Sequence, residues 1–365
     1  MKKFISLAMV LILSLTIFAG CGGGSSTPAQ SSGAAAPAAD SSTAAGSSTA
    51  DSATAGDRVY ALVAKDVNNP YMKKAYEGFE AACQELGVTA LYKGPDQATP
   101  EKQIEIINQL VAQNVALIAV AANDYDALEP ALKSAMDKGI QVVSLDSAVN
   151  ANSRKLHINQ ADPEKIGRVL VQAAYEMVDG NGGMAILSAT AQASNQNLWI
   201  EWMQKELEEN SDKYKDTPLV KIVYGDDEPT KSTNETQALL MDENVKVIIA
   251  PTTVGMLAAG KYLQDNNSEV KLTGLGLPSE MAPFIEDGTC PWMYLWNPVD
   301  LGFLAAYAGD ALVTAGITGA AGDTFTAGRM GEMAIVDAPG GGTEVLLGDP
   351  FKFEPENIAE WKAIY

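Results

Sequence analysis

The chain has 365 residues, with 25 lysines and arginines against 46 aspartates and glutamates, so its formal net charge is −21. This charge disfavours nucleic acids and anionic lipid surfaces as partners, because both are bound through basic patches. The single histidine, His157, argues against a multi-histidine metal site and has no nucleophile-elbow motif beside it.

The first 21 residues have the pattern of an export signal that ends in a lipidated cysteine. Lys2 and Lys3 precede an apolar run over residues 4–18, which is short for a membrane-spanning helix. Small residues then lead to Cys21, the expected acylated first residue of the mature chain. We predict a signal peptide over residues 1–20 and an extracytoplasmic protein, anchored to the membrane only through this lipid. A plain secretory signal and a retained membrane anchor are the alternatives.

Residues 21–56 consist almost entirely of glycine, serine, alanine, threonine and proline. Such a composition buries too little apolar surface to offset the chain entropy lost on folding. We therefore predict a disordered tether that connects the lipid anchor to a folded body.

The folded body alternates short apolar runs with amphipathic stretches of helical period. Strands are predicted over residues 59–64, 88–92, 117–122, 141–145, 183–188, 219–224, 245–250, 270–275 and 293–296. Helices are predicted over residues 71–86, 101–113, 126–138, 163–178, 195–207, 231–241, 254–264 and 300–313. Strands and helices that alternate at this spacing predict right-handed βαβ units and parallel sheets. In the tail, residues 331–336 are read as a strand and residues 339–342 as a turn.

The alternation restarts midway along the chain, which predicts an α/β protein with two doubly wound, Rossmann-like lobes joined by a hinge. We expect the N-terminal lobe to contain residues 57–158 and 297–320. The C-terminal lobe is expected to contain residues 159–296 and 321–365. The late strand and helix allow the chain to cross back to the first lobe.

Two cysteines, Cys83 and Cys290, remain besides Cys21. They are far apart in the sequence and fall in different predicted lobes. We expect free, buried thiols, with a disulfide between them as the alternative in an oxidising compartment.

Ligands of parallel α/β sheets bind beyond the carboxyl ends of the strands. The segments that follow the predicted strands are rich in amides, hydroxyls and aromatic rings, which suit a neutral polyhydroxylated ligand. The candidate ligand-binding residues are Lys65, Asn69, Tyr71, Asp146, Asn195, Gln196, Pro251, Thr253 and Trp296. No phosphate-binding loop or complete dinucleotide fingerprint occurs, and the pairs Asp226-Asp227 and Glu208-Glu209 are read as solvated faces. We therefore predict no catalytic residue, no cofactor and no metal.

Several of these residues also have a purely structural interpretation. Asn195 and Asp126 are placed to cap helices, and Tyr71, Trp199 and Trp296 are plausible core aromatics. Capping explains Asp146 poorly, because no obvious helix follows it, and Lys65 directly follows a buried strand. A ligand role is favoured for both, with a Lys65–Asp146 ion pair as the alternative.

Seven stretches of the body carry a family resemblance. They are residues 64–71, 122–128, 145–147, 194–199, 249–255, 273–281 and 295–302. With these stretches the chain resembles sugar-binding lipoproteins of ABC importers, which have the periplasmic binding protein type I fold. Within that family it is most similar to rhamnose-binding proteins and to the related autoinducer-2 receptors.

The resemblance implies three crossings between the lobes and a sugar held in the cleft. The residues that match an autoinducer-2 receptor site are Lys65, Asp146, Gln196 and Pro251. Asn195 and Thr253 stand where that site has an aspartate and an alanine. The local sequence around both residues is similar to that of rhamnose binders. Leu277-Pro278 replaces the Asp-Gly pair of ribose binders.

The resemblance therefore implies a non-enzymatic receptor that captures a neutral monosaccharide, with L-rhamnose as the first choice. Its partners would be the sugar and an ABC permease, with a chemoreceptor left open, and the protein would be a monomer. An autoinducer-2 receptor is the alternative of the same class. An exported glycosidase that uses Asp146 is the alternative of another class, but a convincing acid–base motif is lacking. A transcription regulator would need a DNA-binding segment where the export signal stands.

Overall fold

The computed structural model describes residues 57–365. Cys21, the predicted signal peptide and the predicted tether lie outside the described residues. The elements of the first half are β1 (Val59–Val63), α1 (Pro70–Leu86), β2 (Thr89–Lys93), α2 (Pro100–Ala112), β3 (Leu117–Val120), α3 (Glu129–Asp137), β4 (Gln141–Leu145) and β5 (Leu156–Asn159). The strands pair in parallel in the order β5-β4-β3-β1-β2, so this half forms the first sheet.

The second half repeats the pattern. Its elements are α4 (Pro163–Met177), β6 (Gly183–Ser188), α5 (Ser194–Glu209), α6 (Ser211–Tyr214), β7 (Leu219–Tyr224), α7 (Pro229–Leu239), β8 (Val245–Ala250), α8 (Thr253–Asp265), β9 (Lys271–Gly274), α9 (Pro278–Glu286) and β10 (Met293–Leu295). The second sheet is parallel in the order β7-β6-β8-β9, and an isolated bridge between Leu275 and Tyr294 places β10 beside it.

The C-terminal segment contributes to both sheets. Its elements are α10 (Pro298–Val313), β11 (Thr324–Thr326), β12 (Glu332–Ala334), β13 (Val336–Asp337), β14 (Thr343–Leu346), β15 (Phe351–Phe353) and α11 (Ile358–Trp361). β14 pairs in parallel with β5 and carries β13 at its outer edge, whereas β15 pairs antiparallel with β10. We expected all of residues 321–365 in the second lobe. Instead β13 and β14 lie in the first sheet, where β14 satisfies the otherwise open edge of β5.

The central strands are buried along almost their whole length because helices cover both faces of each sheet. β3 is buried throughout, and all but the first residue of β1 and β4 are buried. The predicted fold class, α/β with two parallel sheets, is confirmed. Below we call the first sheet with its helices α1, α2, α3 and α10 the first lobe, and the second sheet with helices α4 to α9 the second lobe.

Helices α1 and α10 cross at very short distance on one face of the first sheet. A Cβ atom added to Gly302 would lie 1.7 Å from the carbonyl oxygen of Ala75, and one added to Gly78 would lie 1.8 Å from that of Val299. Only glycine permits this approach of the two backbones. The contact fixes α10 directly after the segment through which the chain returns from β10 to the first lobe.

Cys83 and Cys290 are both free and buried, as predicted. Burial raises the pKa of the Cys83 thiol to about 12. Among residues 57–365, no helix combines the length and the apolar character that a membrane span needs.

Candidate functional site

The carboxyl ends of strands from both lobes face one cavity, with an empty volume of about 400 Å³. All nine residues predicted from the sequence line it, namely Lys65, Asn69, Tyr71, Asp146, Asn195, Gln196, Pro251, Thr253 and Trp296. The structure therefore brings all nine side chains together around one cavity.

A buried triangle of polar side chains joins the lobes at this cavity. Lys65 follows β1 and lies 3.3 Å from the Asp146 carboxylate, which follows β4. Asn195, in the first turn of α5, accepts a hydrogen bond from Lys65 Nζ at 3.0 Å and donates one to Asp146 Oδ2 at 3.1 Å. The first two belong to the first lobe and the third to the second lobe. Asn195 does not occupy the N-cap of α5, which is Ala193, so its amide is available to this network.

Asp146 holds an unusual backbone conformation. Its φ of 59° lies in the left-handed region, which aspartate and asparagine tolerate better than other side chains with a Cβ. Such conformations cost free energy and concentrate at functional sites. In this conformation the chain turns sharply at the end of β4, and the carboxylate lies in the cavity beside Lys65.

Gln196 is oriented by its own lobe. Its Oε1 accepts hydrogen bonds from the Ser188 hydroxyl and from the Ala189 backbone amide, both at 2.8 Å. The Nε2 donor is therefore the part of this amide left for a ligand. Pro251 follows β8 and Thr253 begins α8, so both contribute to the wall of the second lobe.

Three aromatic side chains form the apolar part of the cavity. Tyr71 and Trp296 meet edge to face with their ring centroids 6.2 Å apart, and Trp199 lies 5.8 Å from Trp296. Trp296 Nε1 donates a hydrogen bond of 2.6 Å to the Tyr71 hydroxyl, which links the lobes a second time. Burial, followed by the negative charge of Asp146, raises the pKa of Tyr71. The tyrosine thus stays neutral and presents a hydroxyl group.

Asp227 is a cavity residue that the sequence reading missed. The pair Asp226-Asp227 was read as a solvated face, and for Asp227 this was wrong. Asp226 is exposed and pairs with Lys231, whereas Asp227 lines the cavity. Its carboxylate accepts hydrogen bonds from the Thr252 hydroxyl at 2.6 Å and from Asn69 Nδ2 at 3.0 Å.

Asn69 combines two structural tasks. Its Oδ1 caps α1 by accepting hydrogen bonds from the backbone amides of Tyr71 and Met72. Its Nδ2 donates to Asp227 in the other lobe. The cap fixes the side chain, so the interlobe contact is made by an amide that is already oriented.

The side chains of this cavity are suited to binding a small molecule through hydrogen bonds and apolar contacts. It combines one ion pair, one further carboxylate, several amides and hydroxyls, and flat apolar surfaces, which match the hydroxyls and the apolar face of a sugar ring. His157 is not among the lining residues; its ring Nδ1 lies 2.9 Å from the Ser144 hydroxyl. Within residues 57–365 no group of three or more histidine, cysteine, aspartate or glutamate side chains is placed to hold a metal ion.

Comparison with known proteins agrees with this chemistry. The model of the periplasmic binding protein domain matches residues 60–317. An ABC transporter solute-binding protein from Clostridium phytofermentas, solved with bound L-rhamnose, is 49% identical with a TM-score of 0.82, over 84% of this chain and 99% of that one. A sugar ABC transporter protein from Actinomyces odontolyticus is 40% identical with a TM-score of 0.66, over 84% and 98% of the two chains.

A more distant structure shares the fold. LsrB from Clostridium saccharobutylicum, solved in complex with AI-2, is 21% identical with a TM-score of 0.78, over 83% of this chain and 99% of that one. At this identity the likeness shows the fold alone.

Proposed function

This chain belongs to the periplasmic binding protein family, whose members are extracytoplasmic solute-binding proteins of transport and not enzymes, and we propose that it captures L-rhamnose for an ABC importer. One observation carries the proposal. Side chains of both lobes meet across a single cavity whose polar groups suit a neutral, hydroxyl-rich molecule. The only cation among the cavity residues, Lys65, is already paired with Asp146, so an anionic ligand would lack a free counter-charge.

Lys65, Asp146, Asn195 and Gln196 would bind the sugar hydroxyls. Lys65 and Asp146 are now hydrogen-bonded to Asn195 across the cleft, and hydroxyls that donate and accept are suited to replace such bonds. Each lobe supplies part of the set. A ligand that contacts both lobes at once favours the closed arrangement, because the open one offers only half of the contacts.

L-Rhamnose is preferred for two reasons. The relative from Clostridium phytofermentas, 49% identical over nearly its whole length, was solved with this sugar. L-Rhamnose also carries a methyl group in place of one hydroxymethyl group, and Tyr71, Trp296 and the neighbouring apolar side chain of Leu295 offer an apolar surface for it.

Autoinducer-2 is the second candidate of the same class. The matching residues Lys65, Asp146, Gln196 and Pro251 favour it. Asn195 and Thr253 depart from the receptor pattern, and Asn195 occupies the centre of the interlobe network, where an aspartate would add a second negative charge beside Asp146. This difference favours the sugar.

The cellular setting follows from the same proposal. The protein would be anchored to the membrane through the lipid on Cys21, with residues 21–56 as the tether. As a monomer, it would deliver its sugar to an ABC permease. A chemoreceptor that reads the closed form is a further candidate partner. We also keep the two-lobe division proposed above, with the tail shared between the lobes as β14 and β15 indicate.

A thermal-shift panel of neutral monosaccharides and autoinducer-2 tests the proposal, because a ligand that binds only the folded state raises the melting temperature. We expect L-rhamnose to give the largest shift. Asp146→Asn should abolish most of it, since asparagine keeps the left-handed backbone but removes the charge. Asp179→Asn is the matched control: Asp179 also has a positive φ but is exposed and outside the cavity.

The panel can also contradict the proposal. If only autoinducer-2 raises the melting temperature, the ligand is autoinducer-2 and not a sugar. A shift with L-rhamnose that is unchanged in Asp146→Asn would place the binding site elsewhere.

A further inference from the structure

A second cavity, with an empty volume of about 610 Å³, adjoins the proposed sugar site. Asp146, Asn195 and Trp199 line both cavities and form the wall between them. The first lobe, the start of α5 and residues 338–340, which precede β14, all contribute to the second cavity. The second cavity is therefore formed between the lobes, as the first one is.

Its inner surface is built from buried polar side chains on the strands β5 and β14. His157 and Asn159 point to the same side of β5, and Glu344 lies beside them on the paired strand β14. Asn159 Nδ2 donates a hydrogen bond of 3.0 Å to Glu344. Arg154 closes this surface, donating to the Ser144 hydroxyl at 3.2 Å and to the Gly341 carbonyl at 3.0 Å. An ordinary core would place apolar side chains at these positions.

Two polar atoms of side chains that line this cavity, one on Arg154 and one on Gln160, have no partner among residues 57–365. The Nε donor of Arg154 and the Oε1 acceptor of Gln160 make no hydrogen bond within the described part of the chain. Both side chains line the cavity and are more than nine-tenths buried, with 7% and 1% of their surface exposed. Buried polar groups in native proteins are nearly always satisfied, so an unpaired donor and an unpaired acceptor on residues of one cavity wall are consistent with a ligand, which would reach these covered atoms after a change of rotamer.

The composition of the wall selects the kind of ligand. The charges at this cavity balance, because Arg154 offsets Glu344 and the Asp146 carboxylate is paired with Lys65, so the cavity favours a neutral molecule. The lining side chains include both hydrogen-bond donors and acceptors, as hydroxyl groups require. The opposite wall includes Leu198, Trp199 and Pro339, which present apolar surface to one face of a ring.

We propose that the second cavity is a subsite for a second sugar unit, so that the protein also takes neutral rhamnosyl disaccharides. This inference rests on the proposed function, with the L-rhamnose unit in the first cavity. The hydrogen bonds of Asn195 to Lys65 and Asp146 close the shared wall. Sugar hydroxyls that bind Lys65 and Asp146 would release Asn195, and a change of its rotamer would join the two cavities.

Calorimetric titrations with L-rhamnose and with two differently linked rhamnosyl-glucose disaccharides, rutinose and neohesperidose, test the inference. We expect at least one disaccharide to bind within about tenfold of the affinity for L-rhamnose. Ala338→Trp places a large side chain at the rim of the second cavity and should weaken the disaccharide at least about tenfold, leaving L-rhamnose within about twofold. Ala334→Trp, on exposed β12 and outside both cavities, is the matched control.

The outcomes separate the two proposals. Binding of L-rhamnose without either disaccharide overturns the subsite and leaves the proposed function in place. Disaccharide binding that Ala338→Trp does not weaken also overturns the subsite. Failure of L-rhamnose itself to bind overturns the proposed function, and the subsite for rhamnosyl disaccharides with it.

Discussion

At the residue scale, opposing effects act on Asp227. Burial raises the pKa of its carboxyl group above the ordinary value of 3.8, while hydrogen bonds from Thr252 and Asn69 and the charge of Lys65 partly offset this rise. The folded protein therefore holds the Asp227 proton to a higher pH than the unfolded chain does. In consequence the contribution of Asp227 to stability is lost as the pH rises from 3.8 through the raised pKa.

Asp227→Asn should remove this pH-dependent loss. Asparagine tolerates the left-handed backbone of Asp227, whose φ is 57°, and can still accept from Asn69 and hydrogen-bond Thr252. We expect the melting temperature of the variant, relative to that of the natural protein, to be higher at pH 7 than at pH 3. Calorimetry at both pH values measures this difference, and a change in the opposite direction would contradict the raised pKa.

His157 offers a direct test of burial, because it is the only histidine of the chain and its ring signals need no assignment. Desolvation, and then the charge of Arg154, lower the pKa of His157 to about 3. The folded protein thus keeps the ring neutral while the unfolded chain gains a proton below about pH 6.5, so this group destabilises the fold as the pH falls towards 3. We expect nuclear magnetic resonance to show no ring titration between pH 8 and pH 4. A midpoint near 6.5 would show that the ring is solvated.

Most residues that line the first cavity could be predicted from the sequence, because one rule governs their position. Side chains that follow parallel strands collect at the carboxyl edge of a sheet, and residues such as Lys65 and Asp146 follow from it. Asp227 obeys the same rule, since it comes three residues after β7. It was missed because an adjacent pair of carboxylates is usually solvated. Two successive left-handed residues, Asp226 and Asp227, bury one member of the pair and expose the other.

At the scale of elements, the crossing of α1 and α10 is the contact most sensitive to a single methyl group. Gly302→Ala should destabilise the protein by about 1–3 kcal/mol or more, because the backbones must separate to admit the new Cβ. Gly316→Ala is the control, since the nearest atom to its added Cβ is 3.4 Å away. Thermal unfolding of both variants checks this prediction. Equal stability of the two would mean that the helices do not cross as closely as described.

Three of the elements missed in the sequence were missed for different physical reasons. β5 escaped detection because it is only four residues long and has one polar face, on which His157 and Asn159 line a cavity, opposite the buried Leu156 and Ile158. α9 was missed because Pro278 begins it and Pro283 lies inside it, and proline normally signals a break. β14 exists through its pairing with β5, a contact far away in the sequence. The strands and helices that were predicted have local patterns that suffice on their own.

At the scale of the whole molecule, the lobes are joined by side chains that the proposed ligand would contact. Four hydrogen bonds cross the cleft at the cavity: Lys65 donates to Asn195, Asn195 donates to Asp146, Asn69 donates to Asp227, and Trp296 donates to Tyr71. Each ties a binding residue of one lobe to one of the other. Ligand binding and lobe closure therefore depend on the same groups, and a change in either lobe should weaken both.

Titration calorimetry with L-rhamnose on the natural protein, Asp146→Asn and Asp227→Asn tests this claim most directly. The natural protein should bind one sugar per chain. Each variant, one in each lobe, should bind roughly ten- to a hundredfold more weakly, because each replaces a carboxyl group of the cavity by an amide and removes one acceptor oxygen. Absence of binding to the natural protein, or full affinity in either variant, would contradict a sugar held by both lobes at once.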